Sequence, residues 1–346
     1  MPAVWYFVLA AMLTAYAVLD GFDFGVGIVH LFVARSDGER RHALAAIGPL
    51  WDGNEVWLIA AGGSFFFAFP RAYASAFSGL YLPLMVVLWL LILRGIAIEL
   101  RSSVEHPLWR SAWDTVFAGG SATMAFVLGV AIGNVLRGVP IDASGYFQED
   151  FFQGMGSAAA GAVDAFTAVT GLLAVAVLGA HGASFLAWKT TGDLATRARV
   201  AARRLWPAAI ALGALATLLL ALRAPAFLAG VAARPWVWPL PAGAIAAAGI
   251  GWRALGAGRD RLAFLASSAF LAAMLFASAG VLYPAILPST IDPSFTLDAR
   301  STATASGTLA VGLTILGPAL VLAGVYFVIL FHAFRGKADA AAYEHE

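Results

Sequence analysis

Asp20 and Asp23 in AVLDGFDFGVGI, with Asp52 and Glu55 in GPLWDGNEVWLIAAGG, place four carboxylates in stretches that otherwise read as lipid-soluble helix. On membrane-insertion scales a carboxylate at a helix centre costs about 3 kcal/mol, so such groups are tolerated where they face protein or water. Within each pair the spacing is i to i+3, which puts both members on one helix face. If the two spans form an antiparallel hairpin turning near Asp37 and Gly38, residues whose numbers sum to about 75 lie at equal depth, because each helix rises about 1.5 Å per residue. Asp23 then pairs with Asp52, and Asp20 with Glu55. Carboxylates crowded in a low dielectric retain and exchange protons near neutral pH. The chemistry this spacing suggests is a proton relay or a cation site.

The same strings also read as helix punctuation. If residues 39–48 form an interfacial helix and the second span starts at Pro49, then Asp52 and Glu55 fall in its first turn, near the membrane surface and favoured by the helix dipole. Four acids in two spans are more than capping requires.

The elements that carry these residues are membrane helices. The 346-residue chain is 61% hydrophobic and 12% charged, with a mean hydropathy of +0.83, far from a soluble domain. Apolar segments of crossing length lie near 4–32, 43–69, 74–99, 113–136, 157–187, 204–222, 236–254, 262–287 and 308–334, which predicts nine helices. Pro235, Pro239 and Pro241 crowd the start of the seventh, so eight helices are the alternative count. The N-terminus carries no basic leader and its apolar run exceeds a secretory h-region, so it reads as a retained first span.

Arg35, Arg40, Arg41, Arg101, Arg110, Lys189, Arg197, Arg199, Arg203, Arg204, Arg253, Arg259, Arg261, Arg335 and Lys337 fall on one side of these spans. Arg71, Arg137, Arg223, Arg234 and Arg300 fall on the other. The positive-inside rule then puts the N-terminus outside and the C-terminus in the cytoplasm. The absence of cysteine excludes disulfides, thiolate zinc sites, iron–sulfur clusters and covalently attached haem. Connections of about 20 residues or fewer leave no room for a soluble catalytic or nucleotide-binding domain, and nothing in the sequence points to nucleic acid. Glycines in GVGIVH and AAGGSFF read as places where helices approach closely.

Other polar groups have plainer readings. Arg94 in WLLILRGIAIELR lies about two turns from the end of its span, either snorkelling to the surface or serving as counter-charge to the acidic faces. Asn134 and Asp164 read as interhelical hydrogen bonds within spans. His30, His181 and His332 lie near span ends and read as headgroup contacts, since a transmembrane haem pair needs ligands facing each other in the apolar layer. Trp5, Tyr6, Trp51, Trp57, Tyr73, Tyr81, Trp236 and Trp238 mostly fit interfacial belts.

The strings DGFDFGVGI, GPLWDGNEVWLIAAGGSFFFAFPRAYASAFSGLYLPLMVVLWLLILRGIAIELR, HGASFLAWKTTGDLATRAR and LYPAILPSTIDP, with FRGK after the last span, resemble subunit II of the bd-type quinol oxidases, including the cyanide-insensitive branch. The resemblance runs end to end. It implies an all-α integral membrane protein of about nine helices, two four-helix bundles plus a peripheral helix. The corresponding division is a first bundle over about 1–136, a second part over about 157–334 and a short cytoplasmic tail over 335–346. It also implies pairing with a similarly folded subunit I that carries haem b, haem d and the quinol-oxidising loop; a small single-helix accessory subunit is a further candidate partner, and some members of the family hold a quinone in subunit II as a structural lipid. The location implied is the bacterial cytoplasmic membrane, among lipid.

In the resembled family, carboxylates at the positions of Asp23 and Asp52 are associated with proton delivery toward the oxygen-reducing haem. Asp20 and Glu55 lie in the same motifs, although other members fill the Glu55 position with Gln. Asp164 stands where an Asn before a Pro is usual. The resulting expectation is a non-haem subunit of a quinol:oxygen oxidoreductase in which Asp52 relays protons, Asp23 shares the charge and Arg94 tunes both. A proton- or cation-coupled transporter and a purely structural assembly subunit are the competing classes.

Overall fold

A computed structural model of the chain describes residues 1–147 and 161–338. These run as α1 (Pro2–Val33), α2 (Asp37–Ile47), α3 (Trp51–Ala68), α4 (Pro70–Gly79), α5 (Tyr81–Leu100), α6 (Pro107–Arg137), α7 (Ala165–Lys189), α8 (Gly192–Arg223), α9 (Pro225–Ala232), α10 (Pro239–Gly256), α11 (Asp260–Leu282) and α12 (Ser306–Ala333). A small antiparallel hairpin of β1 (Ala285–Leu287) and β2 (Leu297–Asp298) precedes α12.

Among the described residues seven helices, α1, α5, α6, α7, α8, α11 and α12, are long and apolar enough to cross a membrane. The expected multi-pass helical class is therefore present, while a count of nine rests on α3 and α10, of 18 residues each. The first turns of α3 carry Asp52, Asn54 and Glu55, and α10 opens on Pro239 and Pro241, which dilutes the apolar signal of both.

Several predicted spans are interrupted. The stretch 43–69 divides into α2 and α3, because Ser36 and Glu39 build a capping box that starts a separate helix: the Ser36 hydroxyl accepts the Glu39 N–H at 3.2 Å and the Glu39 carboxylate accepts the Ser36 N–H at 3.2 Å. There is accordingly no simple hairpin turn at Asp37 and Gly38, and the interfacial-helix alternative describes this region. The stretch 74–99 divides into α4 and α5, and 283–287 leaves the helix to enter β1. For 157–187, residues 157–160 lie outside the described set and the helix begins at Ala165. Asp164 is its N-cap rather than an interior residue, accepting the Thr167 N–H at 2.8 Å and pairing with Arg137 at 2.8 Å.

At the centre α1 packs along α7. On one side α3 and α6 flank α1 and α5 packs on α6; on the other α8 and α11 flank α7 and α10 packs on α11. That gives two groups of four helices, with α12 at the edge and Leu309 its one buried residue. The central crossing depends on glycine. A Cβ on Gly25 would lie 1.9 Å from the Leu178 carbonyl oxygen, and one on Gly182 would lie 2.2 Å from the Gly25 carbonyl carbon, so the two backbones touch directly. Among the described residues Gly62 and Gly63 in AAGG meet nothing within 4 Å and serve no close approach.

The Arg-rich end is tied by ion pairs. Asp114 on α6, 1% exposed, accepts from His30 Nε2 at 2.8 Å, Arg101 Nε at 2.6 Å and Arg40 Nη1 at 2.9 Å. Asp37, the first residue of α2, pairs with Arg101 at 2.8 Å, Arg110 at 3.0 Å and Arg41 at 3.3 Å. Glu39 meets Arg197 of α8. After α12 the chain folds back onto the end of α7: Lys189 Nζ donates to the carbonyls of Phe334 and Gly336, and the Ala338 N–H donates to Lys189 O at 2.8 Å. Residues 339–346 of the expected tail lie outside the described set.

Two outcomes follow from these anchors. Gly25→Ala forces α1 and α7 apart and costs about 1–3 kcal/mol, read as earlier thermal aggregation of the solubilised protein, whereas Gly63→Ala leaves that curve in place. Partial burial opposes ionisation of Asp37, but hydrogen bonds from Arg101 and the charges of Arg101, Arg110 and Arg41 hold its carboxyl below the ordinary 3.8. Because the folded value is the lower one, the docking of α2 is complete above about pH 4 and weakens as pH falls below it. Hydrogen exchange across residues 37–47 should accelerate there, and Asp37→Asn should produce the same acceleration at neutral pH.

Candidate functional site

The buried site forms where α1, α3 and α5 meet. Asp20 and Asp23 on α1 are both fully buried, as is Asn54 on α3, and Arg94 on α5 is 1% exposed. Arg94 Nη1 donates to Asp20 Oδ1 at 2.6 Å and Nη2 donates to the Glu55 carboxylate. Its guanidinium lies 4.3 Å from the centre of the Phe24 ring, so the cation is held from one side by charge and from another by an aromatic face. Arg94 is thus a counter-charge inside the helix group and does not snorkel. Asp20 and Glu55, predicted at equal depth, share this one cation.

Asp23 has a different neighbour from the predicted one. Asn54 Nδ2 donates to Asp23 Oδ2 at 2.8 Å and to the Leu19 carbonyl at 3.3 Å. The reason is angular. Asn54, Ala61 and Ala68 are the buried residues of α3, spaced by seven, and define the line that faces inward. Asp52 precedes Asn54 by two residues, about 200° round the helix, and so lies on the exposed side. Asp52 has no ion-pair partner among the described residues. Glu55 stands between the two directions, 24% exposed, with its carboxylate on Arg94 and its edge toward the outside. The i to i+3 rule put Asp52 and Glu55 together correctly, but the inward line of α3 runs through Asn54. The sequence signal for it was the seven-residue spacing to Ala61 and Ala68.

Two carboxylates therefore hold one guanidinium while a third, Asp23, bonds Asn54 beside them, and full ionisation would leave two uncompensated negative charges. Burial of unpaired charge is strongly disfavoured, so full ionisation of the cluster is opposed. Among the described residues no three His, Asp or Glu side chains are grouped as metal ligands would be. With Arg94 in the middle, the arrangement suits proton exchange better than cation binding.

Two of the three histidines are placed otherwise than predicted. His30 and His181 are fully buried and do not face headgroups. His30 is committed to Asp114 through Nε2, while His181 bonds the Val18 carbonyl through Nε2 at 2.9 Å and Ser267 through Nδ1 at 2.6 Å, its ring stacked on Phe264. His332 is on the exposed end of α12. Both ring nitrogens of His181 and Nε2 of His30 are thus engaged, while His30 Nδ1 is buried and has no hydrogen-bond partner among the described residues. Trp5 and Tyr6 are likewise buried rather than interfacial: Trp5 Nε1 donates to Leu309 O at 3.0 Å and the Tyr6 hydroxyl to Ala279 O at 2.9 Å. Asn134 donates to the carbonyls of Val130 at 3.0 Å and Ala162 at 2.8 Å.

Comparison with known proteins places the chain in a family. The cytochrome bd-I ubiquinol oxidase subunit 2 of Escherichia coli is 39% identical over 204 residues, 58% of this chain and 52% of that relative. The cytochrome bd ubiquinol oxidase subunit 2 of Bacillus subtilis is 37% identical over 202 residues, 58% of this chain and 57% of that relative. In both matches the chain spans little more than half the length of the relative. The probable cytochrome oxidase subunit 2 of Haemophilus influenzae is 29% identical along 97% of this chain and 95% of its own length. The fold matches a chain in the structure of bd oxidase from Geobacillus thermodenitrificans with a TM-score of 0.76, covering 97% of this chain and 99% of that one at 19% identity. The family model for cytochrome bd terminal oxidase subunit II matches residues 1–334, all of the described transmembrane region, and the chain belongs to that family.

Proposed function

We propose that this chain is the non-haem subunit of a bd-type terminal oxidase, paired with a haem-bearing subunit that oxidises quinol and reduces oxygen to water. In this reading the cluster of Asp20, Asp23, Glu55 and Arg94, with Asp52 at its rim, passes protons from the cytoplasm toward that partner. The observation that carries it is the graded exposure of four carboxylates around one cation: Asp52 outside, Glu55 half-way, Asp20 and Asp23 fully buried. A site that only stabilised the fold would gain nothing from a carboxylate ladder reaching the surface.

The positive-inside rule assigns the Arg-rich end, where α1 ends and α3 begins, to the cytoplasm of a bacterial inner membrane. Asp52 then takes up protons at the exposed rim, and Glu55, one turn further along α3, and Asp20, held with it on Arg94, are the next acceptors inward, the guanidinium itself keeping its protons. Arg94 holds both carboxylates in place while their proton occupancy changes. The haems of the partner supply the electron chemistry, and the quinol protons are released on the opposite side, so charge separates without a pump.

Replacing Asp52 with Asn should slow oxygen consumption by the complex several-fold while leaving its haem absorption spectrum and assembly unchanged; unaltered turnover across the pH range would remove Asp52 from the path. Arg94→Met leaves Asp20 and Glu55 facing each other without a cation, at a cost of about 3–5 kcal/mol, and should reduce the amount of assembled complex in the membrane. Combining it with Asp20→Asn and Glu55→Gln should recover assembly but not turnover, since the charge conflict is removed together with the exchangeable protons.

A further inference from the structure

Asn54 and Asp23 leave one oxygen each unexplained. Asn54 Nδ2 is spent on Asp23 Oδ2 and the Leu19 carbonyl. Asp23 Oδ1 and Asn54 Oδ1 are buried and have no hydrogen-bond partner among the described residues. The Leu19 carbonyl is an obligate acceptor, which fixes the NH2 end of the amide toward Leu19 and Asp23 and leaves its oxygen as the other end. The two groups are already joined by one hydrogen bond, and each keeps one buried acceptor oxygen without a donor. Arg94 donates through Nη1 and Nη2 to Asp20 and Glu55, and its Nε–H is buried with no partner among the described residues and no bond to Asp23. A carboxylic acid and a primary amide satisfy each other completely in a two-bond ring, the amide N–H to the acid carbonyl and the acid O–H to the amide carbonyl.

We propose that Asn54 is a positioning residue that holds Asp23 as a neutral carboxylic acid, its proton on Oδ1 and donated to Asn54 Oδ1. This divides the cluster into a half held on the Arg94 cation, Asp20 and Glu55, and a proton-holding half, Asp23 on Asn54. It rests on the proposed proton path only for its consequence, that Asp23 is the resident proton store beside it. The pairing itself stands on the donor and acceptor count.

Infrared difference spectroscopy of the intact complex tests it. The wild type should show a buried carboxylic-acid C=O stretch that shifts down in D2O, shifts again with 13C-labelled aspartate, and disappears in Asp23→Asn. Asn54→Leu should move that band to higher frequency, because the C=O loses its N–H donor, and Asn54→Gln should return it part of the way. The isotope shifts require no substitution, so they remain decisive if Asn54→Leu fails to assemble. Absence of any acid band lost in Asp23→Asn would overturn the proposal, and so would an Asn54→Leu band at the wild-type frequency, which would mean that something other than the amide, such as water, holds the acid. Normal turnover in Asp52→Asn alongside the expected bands would remove the proton path and leave the acid–amide pair standing.

Discussion

Arg94 is the constraint around which the first helix group is arranged. A guanidinium that is 1% exposed in an apolar helix group must be matched by carboxylates, and it draws Asp20 from α1 and Glu55 from α3 to α5. Those two bonds fix the rotation of α3, and that rotation decides the rest: Asn54 is turned onto Asp23, Asp52 is turned out, and Glu55 is left bridging inside and outside. Full ionisation of three acids beside one cation is then opposed. The interaction that holds the helices together thereby sets the charge imbalance on which the proposed relay rests.

Two further devices keep this arrangement in place. The bare backbone crossing at Gly25 and Gly182 presses α1 onto α7, only two residues along α1 from Asp23. At the Arg-rich end the Asp114 and Asp37 networks tie α2 across α1, α5 and α6, so the start of α3 is held beside the cluster rather than fraying into the interface. Packing in the middle and ion pairs at the end thus bracket a site whose own charge balance is poor.

Much of this was legible before the structure. Arg94 as a counter-charge option and the helical membrane class followed from hydropathy and the cost of burying charge, and Asp20 and Glu55 do share one cation, although the hairpin turn at Asp37 and Gly38 from which their pairing is argued is absent. The role of Asn54 was not legible, because the choice between Asp52 and Asn54 depends on which way α3 is rotated, and the rotation is fixed by Arg94 on a distant helix. The division of 43–69 was partly visible, since Ser36 and Glu39 carry a capping-box spacing, yet an apolar run outweighs a cap in any span count. Asp114 escaped notice because a lone acid in an apolar helix reveals its partners only when His30, Arg40 and Arg101 are brought together in space. His181 was misplaced for the same reason: its two acceptor and donor partners lie on α1 and α11.

The most direct measurement is time-resolved proton uptake by the oxidase complex during a single turnover with oxygen, followed with a pH-sensitive dye on the cytoplasmic side of oriented vesicles, for the wild type and Asp20→Asn. A relay through the cluster predicts uptake in step with oxygen reduction in the wild type, and at least several-fold slower uptake in Asp20→Asn with an unchanged haem spectrum. Uptake at the wild-type rate in that variant would contradict it.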